Sequence, residues 1–166
     1  MNTEKRAVRQ FLSFRLGEEV FAIDVTKTHE VLDYPAVTRV PQTPPFMLGV
    51  VNLRGSVVPV IDLRLKFGMP GAQQTRDTCI IVTEVEIEGE KAVIGIRVDA
   101  VLEVMELEED GIAPPPRIGT KLKTEYIQGM ANREGSFLIL LNIERVFSSD
   151  EIALVQQDCL SRVGAA

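Results

Sequence analysis

The sequence predicts a mainly β protein assembled from two small β units of similar plan. Three observations carry that prediction: apolar and polar residues alternate with period 2 in short runs, Gly, Pro or charged turns separate the runs, and the chain matches itself 80 residues downstream. A chain of 166 residues is most simply one domain and buries roughly 70% of its unfolded surface, so neither a disulfide nor a metal is needed to hold it. Hydrophobic residues make up 45% and charged residues 25%, which is ordinary for a soluble domain. The net charge of −6 argues against a polyanionic partner, and therefore against nucleic acid. No apolar run approaches the ~18 residues of a membrane span. MNTEKRAVRQ leads into alternating sequence without a signal-peptide core, so the chain reads as cytoplasmic, with no direct membrane insertion.

The elements follow in order. FLSFRL sets Leu12, Phe14 and Leu16 on one face and Ser13 and Arg15 on the other, and GEE turns the chain into VFAID. Asp24 is placed to cap a short helix over VTKTHEVL. The proline-rich stretch 37–46 reads as an ordered connection before the strands MLGVVNL and SVVPVI. Pro59 has no N–H to give to a ladder, which places SVVPVI at a sheet edge or bulge. CIIVTEVEI, KAVIGIRV and VLEVMEL are the next strands, and ELEED at 106–110 reads as a solvated acidic loop ahead of the proline-rich GIAPPP. YIQGMAN and SFLILLN form a last pair joined by REGS. SSDE at 148–151 has capping-box spacing ahead of a C-terminal helix in IALVQQDCLSRV. Short strands at close spacing favour barrels or sandwiches.

The self-match is the most informative of these features. FMLGVVNLRGSVVPVIDLRLKF, from Phe46, lies without a gap over YIQGMANREGSFLILLNIERVF, from Tyr126, relating 46–67 to 126–147. Gly49 meets Gly129, Asn52 meets Asn132, Gly55 meets Gly135, Ser56 meets Ser136 and Phe67 meets Phe147. A weaker match, offset by 73, pairs Ile23 with Ile96, Val25 with Val98, Glu30 with Glu103 and Val31 with Val104. The expectation is a single domain over 1–166, folded from about 9 to 155, in which two duplicated units share a core about a rough twofold axis. Features kept in both halves then belong to the architecture, and features kept in one half are candidates for function. Gly55 and Gly135 fit a hairpin turn needing positive φ, and Asn52 and Asn132 can bond local backbone there. Arg54 faces Glu134, and Pro59 faces Ile139. Arg54 is therefore either an ordinary turn residue or a charged anchor at the rim of an apolar contact. An apolar edge strand at SVVPVI calls for a covering partner.

Enzyme signatures are absent: there is no G-x-S-x-G, G-x-x-x-x-G-K-[ST], G-x-G-x-x-G or H-E-x-x-H. His29 reads as a partly exposed helix residue, Cys79 and Cys159 as packing residues without metal-ligand spacing, and Asp24, Asp62 and Asp99 as caps or turn residues. No catalytic residue, metal site or cofactor is expected.

The run TPPFMLGVVNLRGSVVPVIDLRLKFG, with FLSFRLGEEVFAIDVTKTHEVL, VIGIRVDAVLEV and TEYIQGMANREGSFLILLNIERVFSSDE, resembles the CheW family of bacterial chemotaxis adaptors over about 11–154. The chain is too short for the receiver domain of the CheV type or the catalytic domains of the kinase CheA, and so looks like the free-standing adaptor. The resemblance implies two five-stranded SH3-like β-barrel subdomains with a pseudo-twofold relation and shared core, plus short helices and a C-terminal helix. It implies a non-catalytic scaffold joining the cytoplasmic tips of methyl-accepting chemoreceptors to the regulatory domain of the histidine kinase CheA, monomeric when free and assembled in rings at membrane-associated arrays. By position it implies a receptor-binding groove formed by Val25, Thr28, Glu30, Val31, Gly49, Arg54, Val98 and Val104, with Glu30 and Arg54 ion-paired, and a kinase-facing edge at Val58 and Pro59. Met47, Leu48, Thr28 and Cys79 depart from residues common in the family. Two competing classes are a barrel module binding a small ligand and an accessory subunit outside chemotaxis. The first is disfavoured by the absence of Trp and by only two tyrosines, Tyr34 and Tyr126; the second has no need of Arg54.

Overall fold

The computed structural model describes residues 7–34, 37–41, 44–87, 89–114, 124–133 and 135–147. The alternating runs become strands β1 (Val8–Leu16), β2 (Glu19–Asp24), β3 (Thr28–Asp33), β4 (Met47–Leu53), β5 (Ser56–Asp62), β6 (Cys79–Ile87), β7 (Glu90–Val98), β8 (Ala100–Glu108), β9 (Ile112–Ala113), β10 (Ile127–Arg133) and β11 (Ser136–Leu141). Single-turn helices α1 (Leu63–Lys66) and α2 (Ile143–Val146) follow β5 and β11.

The strands form two sheets. The first has the order β3-β6-β7-β5-β4 and the second β8-β1-β2-β11-β10-β9. Strands related by the sequence offsets occupy the same places in the two orders, with β9 added to the second. Each sheet contains one parallel pair: β5 with β7 through Val60↔Gly95, Ile61↔Ile96 and Asp62↔Arg97, and β11 with β2 through Ile139↔Phe21 and Leu140↔Ala22. The chain crosses from the second sheet to the first through a 3-10 turn at Val25–Lys27 and returns at Asp99.

Burial follows the alternation. A shared core takes Phe14, Leu16, Phe21 and Ile23 from the second sheet, Ile61, Ile81 and Ile96 from the first, and Leu63, Ile143 and Phe147 from the helical turns. Each sheet also has its own cluster: Val51, Val58, Val60, Ile80 and Val82 in the first, and Phe11, Ala22, Met105, Ala131, Leu138 and Leu140 in the second. Val51, Val58 and Val60 stand 80 residues before Ala131, Leu138 and Leu140, so corresponding positions fill corresponding cores. Burial of each large aliphatic or aromatic side chain contributes on the order of 1.5–3 kcal/mol.

Four sequence expectations change. VTKTHEVL is not a helix: Asp24 does cap, accepting from the Thr26 amide at 2.9 Å, but it caps a three-residue turn that runs directly into β3. Val25, Thr26, Thr28 and Val31 are β-branched and lose rotamer freedom in a helix, and β6 supplies the backbone partners instead. Of the two places expected for SVVPVI the edge is excluded, since β5 lies between β4 and β7, while its ladder to β4 does carry an irregularity between Met47 and Gly49, opposite Ile61 and Val60. Its ladder to β7 nevertheless begins only at Val60, so Ser56 to Pro59 pair on the β4 side alone. Within ELEED, Glu106 to Glu108 finish β8 and only Glu109–Gly111 forms a turn. Helices α1 and α2 and strand β9 are each too short to show a period and were not expected. The anticipated C-terminal helix and Cys159 lie outside the described residues.

Candidate functional site

The site is built on the β4–β5 hairpin. Leu53 pairs with Ser56, leaving a two-residue loop of Arg54 at φ 51° and Gly55 at φ 85°. Two successive positive φ angles make a type I′ turn, whose twist matches the strands and whose first position favours Asn, Asp or Gly. Asn52 supports it, its Oδ1 accepting from the Gly55 amide at 2.9 Å. Among the described residues Arg54 is the only non-glycine with positive φ. A long side chain there is sterically disfavoured, so the turn itself gives no reason for an arginine.

The side chain of Arg54 is 75% exposed and grips Glu30 on β3 with two hydrogen bonds, Nη1 to Oε1 at 2.7 Å and Nη2 to Oε2 at 3.1 Å. Those bonds and the Glu30 charge push the guanidinium pKa further up. The fork geometry fixes both groups, and the ion pair expected between these positions is present.

A cleft of about 420 Å³ opens beside this pair, where β5 and β7 have not yet joined. Val58 and Pro59 form its buried floor, Val57 and Val93 its walls, and His29 and Lys91 lie with Arg54 around it. His29 and Lys91 both face Glu84, at 3.4 and 4.0 Å. The second half has a counterpart of about 280 Å³ lined by Ser136, Phe137 and Leu138 with Val20, Leu102 and Glu103. Ser136, Phe137 and Leu138 correspond to Ser56, Val57 and Val58. Among the described residues the second cleft has no cation in its lining, and it presents an exposed Phe137.

The remaining expected residues divide. Val31 and Val104 are 42% and 54% exposed and lie on β3 and β8, the outer strands of the two sheets. Cys79, which opens β6 and is the register partner of Asp33, lies within reach of the Val101 backbone of β8. Burial pushes the Cys79 thiol pKa up, as do the Asp33 and Asp77 charges, against the Val101 contact. Glu30 and Leu32 are half-buried while Val31 and Asp33 are exposed, so the ion pair and Val31 lie on opposite faces of β3. Val25 and Thr28 are half-buried at the crossing, with Val25 against the shared core.

Two residues leave the site. Val98 is 1% exposed and belongs to the shared core, on the inward face of β7. Gly49 is buried under Thr38, whose amide and carbonyl bond to Val50 at 2.9 and 2.8 Å. A Cβ at Gly49 would stand 2.1 Å from the Thr38 carbonyl oxygen. Gly129, its counterpart, is crossed in the same way by β9, where a Cβ would lie 2.5 Å from Ile112 Cγ2. Gly49 is therefore a close backbone approach and not a contact surface.

Sequence reasoning missed Lys91 and the approach of His29 to the same cleft; no local pattern marks them, because the partners that gather them are distant in the chain. Among the described residues no cluster of three or more His, Cys, Asp or Glu is placed to hold a metal ion. Among the described residues no helix is long and apolar enough to cross a membrane.

Residues 10–151 match the family model described as CheW-like domain. The chain belongs to the CheW family. Similar relatives include the chemotaxis protein CheW of Klebsiella aerogenes, 43% identical over 147 residues that cover 89% of this chain and 86% of that protein. The chemotaxis protein CheW of Rhizobium meliloti is 32% identical over 143 residues, covering 86% and 90%, and the protein FrzA of Myxococcus xanthus 29% over 148 residues, covering 88% and 89%. The solved structure of the scaffolding protein TtCheW from Thermoanaerobacter tengcongensis matches with a TM-score of 0.77 and 34% identity, covering 87% of this chain and 96% of that one. The mainly β, two-sheet plan is thus that of a CheW-type chemotaxis scaffold.

Proposed function

We propose that this CheW-family chain is a non-catalytic adaptor that ties the cytoplasmic tips of methyl-accepting chemoreceptors to the regulatory domain of the histidine kinase CheA. In this reading it is a single domain over 1–166 with an internal duplication, monomeric when free, working in the cytoplasm at receptor arrays and entering their rings. The observation that carries the reading is Arg54. An arginine stands at a left-handed turn position that favours smaller residues, is held in a fixed orientation by Glu30, and remains largely exposed. Recognition accounts for such a residue, since the turn itself gives no reason for an arginine at that position.

In this reading the receptor-facing surface wraps the outer edge of β3, with Arg54 and Glu30 on one face of that strand and Val31 on the other, and takes in Val104 on β8, with Val25 and Thr28 supporting it. The kinase-facing surface is the cleft floored by Val58 and Pro59. Coupling follows from thermodynamics: a receptor state changes kinase activity through the adaptor only if these contacts differ in free energy between active and inactive states. Co-sedimentation of the purified chain with a receptor-tip fragment and with a kinase regulatory domain tests this. Binding to both is expected, and failure to bind either one overturns the adaptor reading.

A further inference from the structure

Resting on the adaptor reading above, we propose that Pro59 is a positioning residue that keeps the fork between β5 and β7 open, so that an extended segment of the kinase regulatory domain, carrying a carboxylate beside an apolar side chain, lays its main chain there. The second half of the molecule serves as the control. At the place of Pro59 it has Ile139, and its parallel ladder includes that residue, paired with Phe21. Proline has no N–H to give, and the ladder of β5 to β7 starts one residue later, at Val60↔Gly95. The cleft beside it is about 420 Å³, against about 280 Å³ in the second half.

The main-chain groups that face the fork follow from the hairpins. Leu53 and Ser56 flank a two-residue loop, so they exchange hydrogen bonds, and the bonding alternates from there. Val58 therefore turns to β4, while Val57 turns its N–H and C=O to the β7 side. Across the fork, Ile87 and Glu90 flank another two-residue loop, which turns Ala92 to β6 and Lys91, Val93 and Gly95 toward β5. Gly95 finds its ladder there, whereas no ladder joins Val57 to Lys91 or Val93. Open main chain of this kind is what an added strand bonds to, and pockets for its alternate side chains give the specificity.

The lining selects the kind of segment. Val58 and Ala92 are buried and Val57 is exposed, which suits an apolar side chain. His29, Arg54 and Lys91 line the cleft, and among the described residues no carboxylate does, although the chain as a whole carries a net charge of −6. Glu30 and Glu84 pair with these cations yet leave them open to a partner. The side chains of Arg54 and Lys91 are 75% and 70% exposed, and Lys91 is 4.0 Å from Glu84. A carboxylate beside the apolar side chain complements that rim. The second cleft, with Phe137 exposed and Glu103 in its lining, is unsuited to such a segment.

The full chain and a purified kinase regulatory domain test this. Exchange of backbone amides with deuterium, read residue by residue by NMR, should find Val57 and Lys91 fast beside protected Val58 and Ala92 in the free chain, and slowed when the domain binds. Pro59→Ile copies the second half: the new amide at position 59 should be protected, and the variant should unfold no earlier than the parent. It should bind the domain about tenfold more weakly. Lys91→Glu leaves the fork open and should weaken binding by a similar factor, more at low salt than at high. Parental binding by a Pro59→Ile variant whose position-59 amide is protected overturns the proposal. So does a position-59 amide that stays unprotected, or a Val57 amide that exchanges no more slowly in the complex. Failure of the parent chain to bind the domain would instead overturn the adaptor reading, and this assignment with it.

Discussion

The two hairpins β4–β5 and β10–β11 share nearly everything that builds a hairpin. Leu53 pairs with Ser56 as Arg133 pairs with Ser136, Gly55 and Gly135 both have φ 85°, and Gly49 and Gly129 both lie under a crossing segment. They differ in what they present. The first carries Arg54 in a left-handed conformation, locked to Glu30, beside a cleft with cations around it. The second lines its cleft with an exposed Phe137 and a carboxylate, Glu103. The repeated features account for the common plan of the two hairpins, and the unrepeated ones are those to which the proposed docking role is assigned.

The largest effect that would test this division is at Gly49. If it is architecture, Gly49→Ala must push a methyl against the Thr38 backbone and should cost about 3 kcal/mol or more, read from chemical denaturation. Gly129→Ala should cost less, because the nearest backbone atom, the Ala113 carbonyl oxygen, would stand 2.9 Å from the new Cβ instead of 2.1 Å and Gly129 does not share the positive φ of Gly49. Full stability of Gly49→Ala together with lost receptor binding would return Gly49 to the contact surface.

A smaller effect lies at the helix caps, where Asp62 in the first half corresponds to Asn142 in the second. Burial raises the Asp62 pKa despite the opposing charges of Arg97 and Arg64 and the amides of Arg64 and Leu65. With the folded pKa above the unfolded one, ionised Asp62 costs stability above its folded pKa, and that cost is relieved as the pH falls through it toward the ordinary value of about 3.9. Asp24 and Asp99 behave in the opposite sense. Burial opposes their charge too, but Arg9 and Arg64 with local amides lower both pKa values, so their stabilisation is present above the unfolded value and lost as pH falls through the folded one. Asp62→Asn, which puts the second half's residue here and keeps an oxygen able to accept from the Arg64 amide, should therefore give a small gain in stability at neutral pH that disappears toward pH 4. A gain that persists unchanged at low pH would contradict the assignment.

The smallest effect is conformational. Arg54→Asn suits the type I′ turn better and should raise Tm by about 1–2 °C while removing the grip on Glu30. A fall in Tm would mean that the ion pair supports the fold more than the turn opposes it.

Much of this was legible in the sequence, because it is local. Alternation gave the strands, Asn52 and Gly55 gave the turn, and Asp24 announced a cap. What was not legible depends on pairing at a distance. Val25, Thr28 and Leu32 recur at helical spacing, and only the ladder to β6 turns Thr28–Asp33 into a strand. Pro59 reads as an edge residue because its parallel neighbour, β7, is remote in sequence and joins one residue later. Val98 is separated from an exposed face by a shift of a single residue, and period 2 alone does not say which face is inward. The Glu30–Arg54 pair was expected from the family resemblance; the ion pairs Arg64–Asp99 and Lys27–Glu144 were not, since in each the partner is remote in the chain.

The most direct test of the asymmetry between the halves is a titration of a labelled receptor-tip fragment with the parent chain, Arg54→Ala and Phe137→Ala, each checked for an intact fold. Arg54→Ala should bind about thirtyfold more weakly, as an interface hot spot does, and Phe137→Ala should bind as the parent does. Parental affinity in a folded Arg54→Ala, or an equal loss in Phe137→Ala, would contradict the claim that the first half alone carries the receptor-docking arginine's function.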